Sequence, residues 1–168
     1  MSVMLPTRKS PRPHLDDPYL KKLRYTEPTV CPKCGIVYID KRWQYRPRFS
    51  PPADTKYRKC PACRKIEDHY AMGLVFLSGD FIPEHEEEIT HLIQNQGRQS
   101  FRRNPLDRLM SMVKVKDGYR IETTTEHLAL TLGRALYHAY GGELEYRFSE
   151  DQKVVRVYWH RDQAKERR

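Results

Sequence analysis

The chain has 168 residues, of which 31 are Lys or Arg and 22 are Asp or Glu, so its formal net charge is +9 at pH 7. This length suits one ordinary domain or two small ones, and no stretch approaches the roughly 20 apolar residues of a membrane span. Residues 1–70 carry 16 basic and 7 acidic side chains, whereas residues 71–168 carry 15 of each. A basic excess confined to one region is typical of proteins that bind polyanions, most often nucleic acid. A solubilising surface and attraction to anionic lipid are the alternatives.

The first segment, residues 1–29, is basic and interrupted by prolines, which oppose regular secondary structure. We predict a flexible arm whose cations could contact phosphates as it folds onto a partner. These cations are Arg8, Lys9, Arg12, Lys21, Lys22 and Arg24. An ordinary disordered terminus is the alternative.

All four cysteines lie in two Cys-Pro-x-Cys motifs, one ending at Cys34 and the other beginning at Cys60, with 25 residues between them. Each motif can form a tight turn that directs two sulfurs to one point, and two such turns supply the thiolates of a tetrahedral zinc site. The predicted ligands are Cys31, Cys34, Cys60 and Cys63. Because four sulfurs leave no position open for water or substrate, we predict a structural Zn²⁺.

Disulfides and thiol redox chemistry are the alternatives for these cysteines. The first 15 residues contain no apolar core segment, so we predict no signal peptide and a reducing, cytoplasmic location. A thioredoxin-type site has a single C-x-x-C motif within a βαβ unit, and that context is missing here. Metal binding is therefore the preferred interpretation.

Residues 30–70 are predicted to form a zinc ribbon. A strand is expected at residues 36–39, where four β-favouring residues are consecutive. Prolines in the following segment interrupt strand pairing, so a loop is expected to lead into the second cysteine motif. About 40 residues bury too little apolar surface to fold unaided, so zinc binding, worth roughly 10–16 kcal/mol, is expected to supply most of the folding free energy.

The loop between the cysteine motifs alternates cations with aromatic rings. Cations neutralise phosphates and flat rings stack on bases, so we predict a nucleic-acid-binding surface here. Its predicted residues are Lys41, Arg42, Tyr45, Arg46, Arg48, Lys56, Arg58 and Lys59. Tyr38 and Trp43 are expected to pack in the small ribbon core instead.

Residues 71–162 are predicted to form an α+β domain. A buried strand at 73–78 precedes a helix that begins at Pro83 and ends before Pro105. The apolar face expected for that helix comprises Ile89, Leu92, Ile93, Gln96 and Phe101. Next comes a hairpin closed by Asp117-Gly118, then a helix capped by Thr124 or Thr125, and then two alternating strands.

This order, β-α-β-β-α-β with one extra C-terminal strand, predicts a ferredoxin-like split-βαβ fold with both helices on one face of an antiparallel sheet. Residues 163–168 form a charged tail. The opposite face of the sheet is expected to carry mixed charge and few aromatics, on Lys114, Lys116, Arg120, Glu122, Glu145, Arg147, Arg156 and Tyr158. We therefore expect a solvated or domain-contacting face rather than a platform for single-stranded RNA.

Few features of the sequence indicate a catalytic site. The seven histidines show no H-E-x-x-H spacing, and no G-x-x-x-x-G-K-[ST] phosphate loop is present. His85 beside Glu86–Glu88 is better explained by acidic residues at a helix start than by a second metal site. We therefore predict that the protein is not an enzyme and has no small-molecule substrate.

The cysteine motifs, CPKCGIVY and CPACRK, and the segment IETTTEHLALTLGRALYHAYGGELEYRFSEDQKVVRVYWHRD resemble a family of small bacterial proteins related to nonsense-mediated decay protein three. That protein is the archaeal and eukaryotic factor that binds the large ribosomal subunit. The similarity spans residues 30–162 and is carried by the cysteines and the Gly-Gly and VRVYW stretches. It implies zinc ribbons and an association with ribosomes or ribosomal RNA. Larger relatives have two four-cysteine sites where this chain has one, and the resemblance assigns no RNA-contacting residue.

Together these features predict a non-enzymatic zinc-ribbon protein that binds ribosomal RNA or the ribosome, in maturation, silencing or quality control. The C-terminal domain is expected to support the ribbon or to contact a protein partner, and no membrane association is expected. A zinc-ribbon adaptor between proteins is the first alternative. A DNA-binding regulator is the second, although no helix-turn-helix spacing is evident.

Overall fold

The computed structural model describes residues 16–20 and 24–164, which form two β-sheets and three α-helices, in agreement with the predicted α+β class. The elements are β1 (Thr29–Val30), β2 (Val37–Ile39), β3 (Arg42–Gln44), β4 (Lys56–Tyr57), α1 (Pro61–Glu67), β5 (Gly73–Ser78), α2 (Ile82–Arg103), β6 (Leu109–Val115), β7 (Gly118–Thr123), α3 (Glu126–Tyr140), β8 (Glu143–Phe148) and β9 (Val155–His160). The arm cations Arg8, Lys9, Arg12, Lys21 and Lys22, and residues 165–168 of the predicted tail, lie outside the described residues.

The first sheet, with strand order β3-β2-β1-β4, connects the two cysteine motifs. Strands β2 and β3 form an antiparallel hairpin, whereas β1 pairs with β4 in parallel. The turn of the first motif closes on Gly35, whose φ of +80° is a conformation that favours glycine. The second motif runs directly into α1, since Cys60 is the N-cap and Pro61 takes the first helical turn. The sequence predicted only a turn at this position.

The second sheet, with strand order β6-β7-β5-β9-β8, packs against α2 and α3. Alternate residues of its three central strands face the helices, as expected for a half-buried sheet. The buried ones include Val75, Leu77, Tyr119, Ile121, Val155, Val157 and Trp159. The predicted Asp117-Gly118 hairpin is confirmed as the connection between β6 and β7.

The predicted ferredoxin-like order is not confirmed, because the sheet is not antiparallel throughout. Strand β9 pairs with β5 in parallel, and β8 lies beyond β9 at the edge. The pairing sets Val157 beside Val75 and Trp159 beside Leu77, so the more apolar strand of the last hairpin takes the central place. Strand β8, which exposes Glu143, Glu145 and Arg147, occupies the edge where water can solvate its charges.

Helix α3 lies close to the sheet. Its N-cap is Thr125, which accepts a hydrogen bond from the backbone N–H of Leu128 at 3.2 Å, as the sequence predicted. A Cβ at position 133 would lie 2.6 Å from Cγ1 of Val157, so Gly133 permits this close approach. Among the described residues, no helix combines the length and apolar composition needed to cross a membrane.

The ribbon has a separate core, and the α+β domain contributes to its edge. The buried residues of this ribbon core are Cys31, Ile36, Trp43, Cys60, Ala62 and Cys63. Phe101 and Leu106, from the end of α2 and the loop after it, pack against these residues. The expectation that Phe101 belongs to the apolar face of α2 within its own domain is therefore corrected, because the ribbon offers the nearer apolar surface.

A buried ion pair joins three parts of the chain. The ammonium of Lys65 in α1 contacts the carboxylate of Asp17 and also donates to the backbone carbonyl of Thr124 at 3.0 Å. Burial lowers the pKa of Lys65, and the Asp17 carboxylate opposes this effect. Because an unpaired charge is costly to bury, the contact holds residues from the predicted arm, the ribbon and the α+β domain together.

The outer face of the second sheet differs from the prediction. Lys114 points toward α2, where its ammonium lies 3.0 Å from a carboxylate oxygen of Glu86, because it shares a face with Tyr119. Lys116 lies in the hairpin turn. The outer face instead gains Phe76, whose ring stacks on Tyr158 with centroids 5.1 Å apart.

Candidate metal centre and nucleic-acid interface

The two cysteine motifs bring four sulfurs to one point. The Sγ atoms of Cys31, Cys34, Cys60 and Cys63 all lie within 4.8 Å of one another. The Cys31–Cys63 and Cys34–Cys60 sulfur pairs are each 3.8 Å apart, and all four thiols are free. A disulfide would bring two sulfurs to about 2.0 Å, so the disulfide alternative does not describe this arrangement.

The separation of the sulfurs fits a tetrahedral metal site. With metal–sulfur bonds of about 2.3 Å, the edge of a tetrahedron of thiolates is about 3.8 Å. Four soft sulfur donors with no oxygen or nitrogen ligand are typical of a structural zinc centre. Two backbone N–H groups support the sulfurs, since Cys63 donates to Cys60 Sγ and Cys60 donates to Cys31 Sγ, each at 3.3 Å.

Whether all four thiols can lose their protons depends on positive charge close to the sulfurs. Burial, followed by the nearby Cys34 sulfur, raises the pKa of Cys63 to about 12. Hydrogen bonds from Cys34 and Cys60 lower the pKa of Cys31, while the hydrogen bond to Cys31 raises that of Cys60. The buried sulfurs therefore cannot all be thiolates unless positive charge offsets them. Metal binding must release protons, and it must weaken as the pH falls.

The α+β domain contributes a cation to the surroundings of the centre. The guanidinium of Arg108, between α2 and β6, donates from Nη2 to the Sγ of Cys34 at 3.1 Å. Its Nε donates to the carbonyl of Pro105 at 2.7 Å, and its plane lies over the Phe101 ring at 4.7 Å. Cys34 is the least buried of the four cysteines, so Arg108 gives a charged donor to the sulfur that is most accessible to water.

We expect Arg108→Ala to weaken zinc binding by about tenfold, because partners that hydrogen-bond to metal ligands typically contribute 10–100-fold in affinity. Competition against a chromophoric zinc chelator measures this change. The matched control is Arg120→Ala, which removes an exposed and equally positive side chain from β7, where Arg120 pairs with Glu122. Equal zinc affinity in the two variants would show that the Arg108–Cys34 contact does not support the centre.

The predicted nucleic-acid-binding residues surround the first sheet but divide between its two edges. Lys41 and Arg42 lie at the β3 edge, and Tyr45, Arg46 and Arg48 follow that strand. Lys56 lies in β4 at the other edge, and Arg58 and Lys59 follow it. All eight side chains are exposed, so each is open to a partner, although the structure does not gather them into a single patch.

Two of these cations have carboxylate partners. Arg46 lies 3.8 Å from Asp40, and Lys59 lies 2.7 Å from Glu67. Both pairs are exposed, so each adds little to stability and can yield to a phosphate. Trp43 is 6% exposed and Tyr38 is half-buried, which agrees with the expectation that they pack within the ribbon.

Sequence reasoning missed the residues that the second domain brings to the ribbon. Arg108 is 74 residues from Cys34, and no spacing rule relates them. Phe101 lies against Tyr45, with ring centroids 5.1 Å apart, and so anchors one of the predicted binding residues. A weak sequence signal for these contacts was the Asn104-Pro105 step, because the residue before a proline disfavours helix, and α2 ends there beside the ribbon.

No protein-family model, curated protein or solved structure matches the chain. The resemblance to the family related to nonsense-mediated decay protein three therefore stays a prediction.

Proposed function

We propose that this protein is a non-enzymatic, cytoplasmic zinc-ribbon protein that binds ribosomal RNA or the ribosome, in maturation, silencing or quality control. The observation that carries the proposal is a closed cluster of four cysteines within a small module that exposes all seven of the predicted nucleic-acid-binding cations. Because four sulfurs leave no open coordination position, the centre supports a structural Zn²⁺ and a binding role. The relationship to the nonsense-mediated decay protein three family belongs to this proposal.

The distribution of charge supports a polyanionic partner. The seven predicted nucleic-acid-binding cations of the ribbon stay exposed, whereas the 15 basic side chains of residues 71–168 are balanced by 15 acidic ones. Exposed like charges repel one another, and a chain of phosphates relieves that repulsion. The exposed ring of Tyr45, 48% accessible, offers a stacking surface within the same region, which favours RNA with unpaired bases.

The clearest His–carboxylate pair at a cavity has a structural explanation. His127 Nδ1 lies 2.9 Å from Asp107, and the other oxygen of that carboxylate accepts from the hydroxyl of Thr125, the N-cap of α3. The pair thus ties the loop before β6 to the start of the helix. This arrangement is consistent with a protein that performs no catalysis.

A protein–protein adaptor is the second candidate. Two side chains of β6, Val113 and Val115, are 45% and 43% exposed, and β6 is an edge strand. An exposed apolar edge can receive a strand from another protein. A DNA-binding regulator is a weaker third candidate, because the same cations could neutralise duplex phosphates.

Co-sedimentation with ribosomes across a salt series tests the proposal. If all seven ribbon cations contact single-stranded phosphates, the affinity should fall about 10³-fold between about 50 and 200 mM salt. Binding that does not change with salt would favour the adaptor. Absence of binding to ribosomes and to purified ribosomal RNA would refute the proposed function.

A further inference from the structure

A cleft of about 610 Å³ lies between the β3 edge of the ribbon and the C-terminal end of α2. Its volume falls within the roughly 300–1,000 Å³ typical of pockets for small ligands. The ribbon and the α+β domain each supply part of the lining, so the cleft exists only because the two modules pack together. The sequence predicted Lys41, Arg42 and Tyr45 as binding residues, but it did not place the end of α2 beside them.

The ribbon wall of the cleft is aromatic. It consists of Tyr38, Trp43 and Tyr45, together with Tyr25 from the end of the predicted arm. The rings of Tyr25 and Trp43 meet edge to face at 4.9 Å, and those of Tyr38 and Trp43 at 5.5 Å, so this part of the wall is held by mutual packing. The ring of Tyr45 packs against Phe101 and stays half exposed. It is therefore the ring best placed to stack on a ligand.

Four cations from the two modules line the same cleft: Lys41, Arg42, Arg102 and Arg103. All four are exposed. Arginines at the end of α2 interact favourably with the helix dipole, but the dipole does not explain why two ribbon cations share the cleft with them. Bringing like charges together costs free energy unless an anion compensates.

The wall also contains a polar group without a partner. The indole Nε1–H of Trp43 is buried and has no acceptor among the described residues. A buried donor without an acceptor is costly, because it has lost its hydrogen bonds to water.

We infer that this cleft binds one nucleotide of single-stranded RNA. The base stacks on Tyr45 and the adjoining aromatic wall, while the flanking phosphates lie among the four cations. This inference rests on the proposed function and deepens it, because it places the RNA contact at the junction of the two modules. It adds Arg102 and Arg103 to the residues that contact RNA.

Photo-cross-linking of a decamer of 4-thiouridine to the zinc-loaded full chain tests the inference. We expect cross-links at Tyr45, which is 48% exposed in the cleft. The internal control is Tyr57, which is 59% exposed in β4 at the opposite edge of the ribbon sheet and is absent from the cleft. Cross-links confined to Tyr57 and its neighbours would overturn the cleft while leaving RNA binding intact. Failure of the decamer to bind at all, together with absence of binding to ribosomal RNA, would overturn the proposed function as well.

A pair of double variants gives a second readout. Arg102→Ala with Arg103→Ala should weaken binding of the decamer about tenfold at about 0.1 M salt, because two phosphate contacts are lost. The matched control is Arg120→Ala with Arg156→Ala, which removes the same charge from the outer face of the second sheet. An equal loss in both double variants would show that net charge alone governs affinity. A larger loss in the control would move the binding surface to the sheet, and either result would overturn the inference.

Discussion

Cys60→Ser is expected to abolish stoichiometric zinc and to unfold the ribbon while the α+β domain keeps its fold. Zinc supplies roughly 10–16 kcal/mol to modules of this kind, and the six buried residues of the ribbon core are too few to replace it. Serine is itself a favoured N-cap, so the substitution preserves the start of α1 and removes only a metal ligand. The α+β domain has its own core of sixteen buried residues, which does not include the cysteines.

Metal analysis and hydrogen exchange measure this outcome. Amides of β2 and β3 should lose protection, whereas those of β5, β7 and β9 should retain it. Wild-type protein treated with a chelator is the matched control and should show the same pattern. Loss of protection in both sheets would mean that the Lys65–Thr124 and Arg108–Cys34 contacts make the chain a single cooperative unit.

Replacing Arg42, Arg46 and Arg48 together with Ala should weaken binding to ribosomal RNA about 100-fold at about 0.1 M salt. Each phosphate contact on a single strand contributes about 0.7 to the slope of log affinity against log salt, so the slope should become shallower by about 2. Zinc content should not change, because the three side chains are exposed and none contacts a cysteine. Filter binding at several salt concentrations provides both quantities.

The control for this triple variant removes the same charge from the other domain. Arg120, Arg147 and Arg156 lie on the outer face of the second sheet, and their replacement with Ala should leave RNA affinity within a few fold. If the control loses as much affinity as the ribbon variant, the ribbon is not the principal RNA-binding surface.

The local parts of the metal centre were predictable from the sequence. Two cysteines separated by two residues must direct their sulfurs to a common point once the turn forms, and the pattern depends only on neighbouring residues. The same reasoning explains why the Asp117-Gly118 hairpin and the Thr125 cap were predicted correctly, since turn and cap chemistry lies within a few residues. Helix α1 was missed because it is only 7 residues long and begins inside a cysteine motif.

The packing of the α+β domain was harder to predict from the sequence. The alternation in β8 and β9 shows two strands, but it does not say which one lies beside β5. That choice depends on comparing whole strands for apolar content, and the structure places β9 at the centre. The position of Lys114 is a second example. Its side chain lies on the helix-facing side of the sheet because Lys114 pairs with Tyr119 and contacts Glu86 on α2.

From the sequence one could predict that the four cysteines cluster, that the first 70 residues are basic and that most of the helices and strands exist. Long-range packing set the parallel pairing of β9 with β5, the Arg108 contact to Cys34, the burial of Lys65 beside Asp17 and the cleft between the ribbon and α2. The difference lies in the sequence separation of the residues involved. Turns, caps and cysteine motifs depend on residues a few positions apart, whereas these contacts join residues 48 or more positions apart, which only the packing of the folded chain brings together.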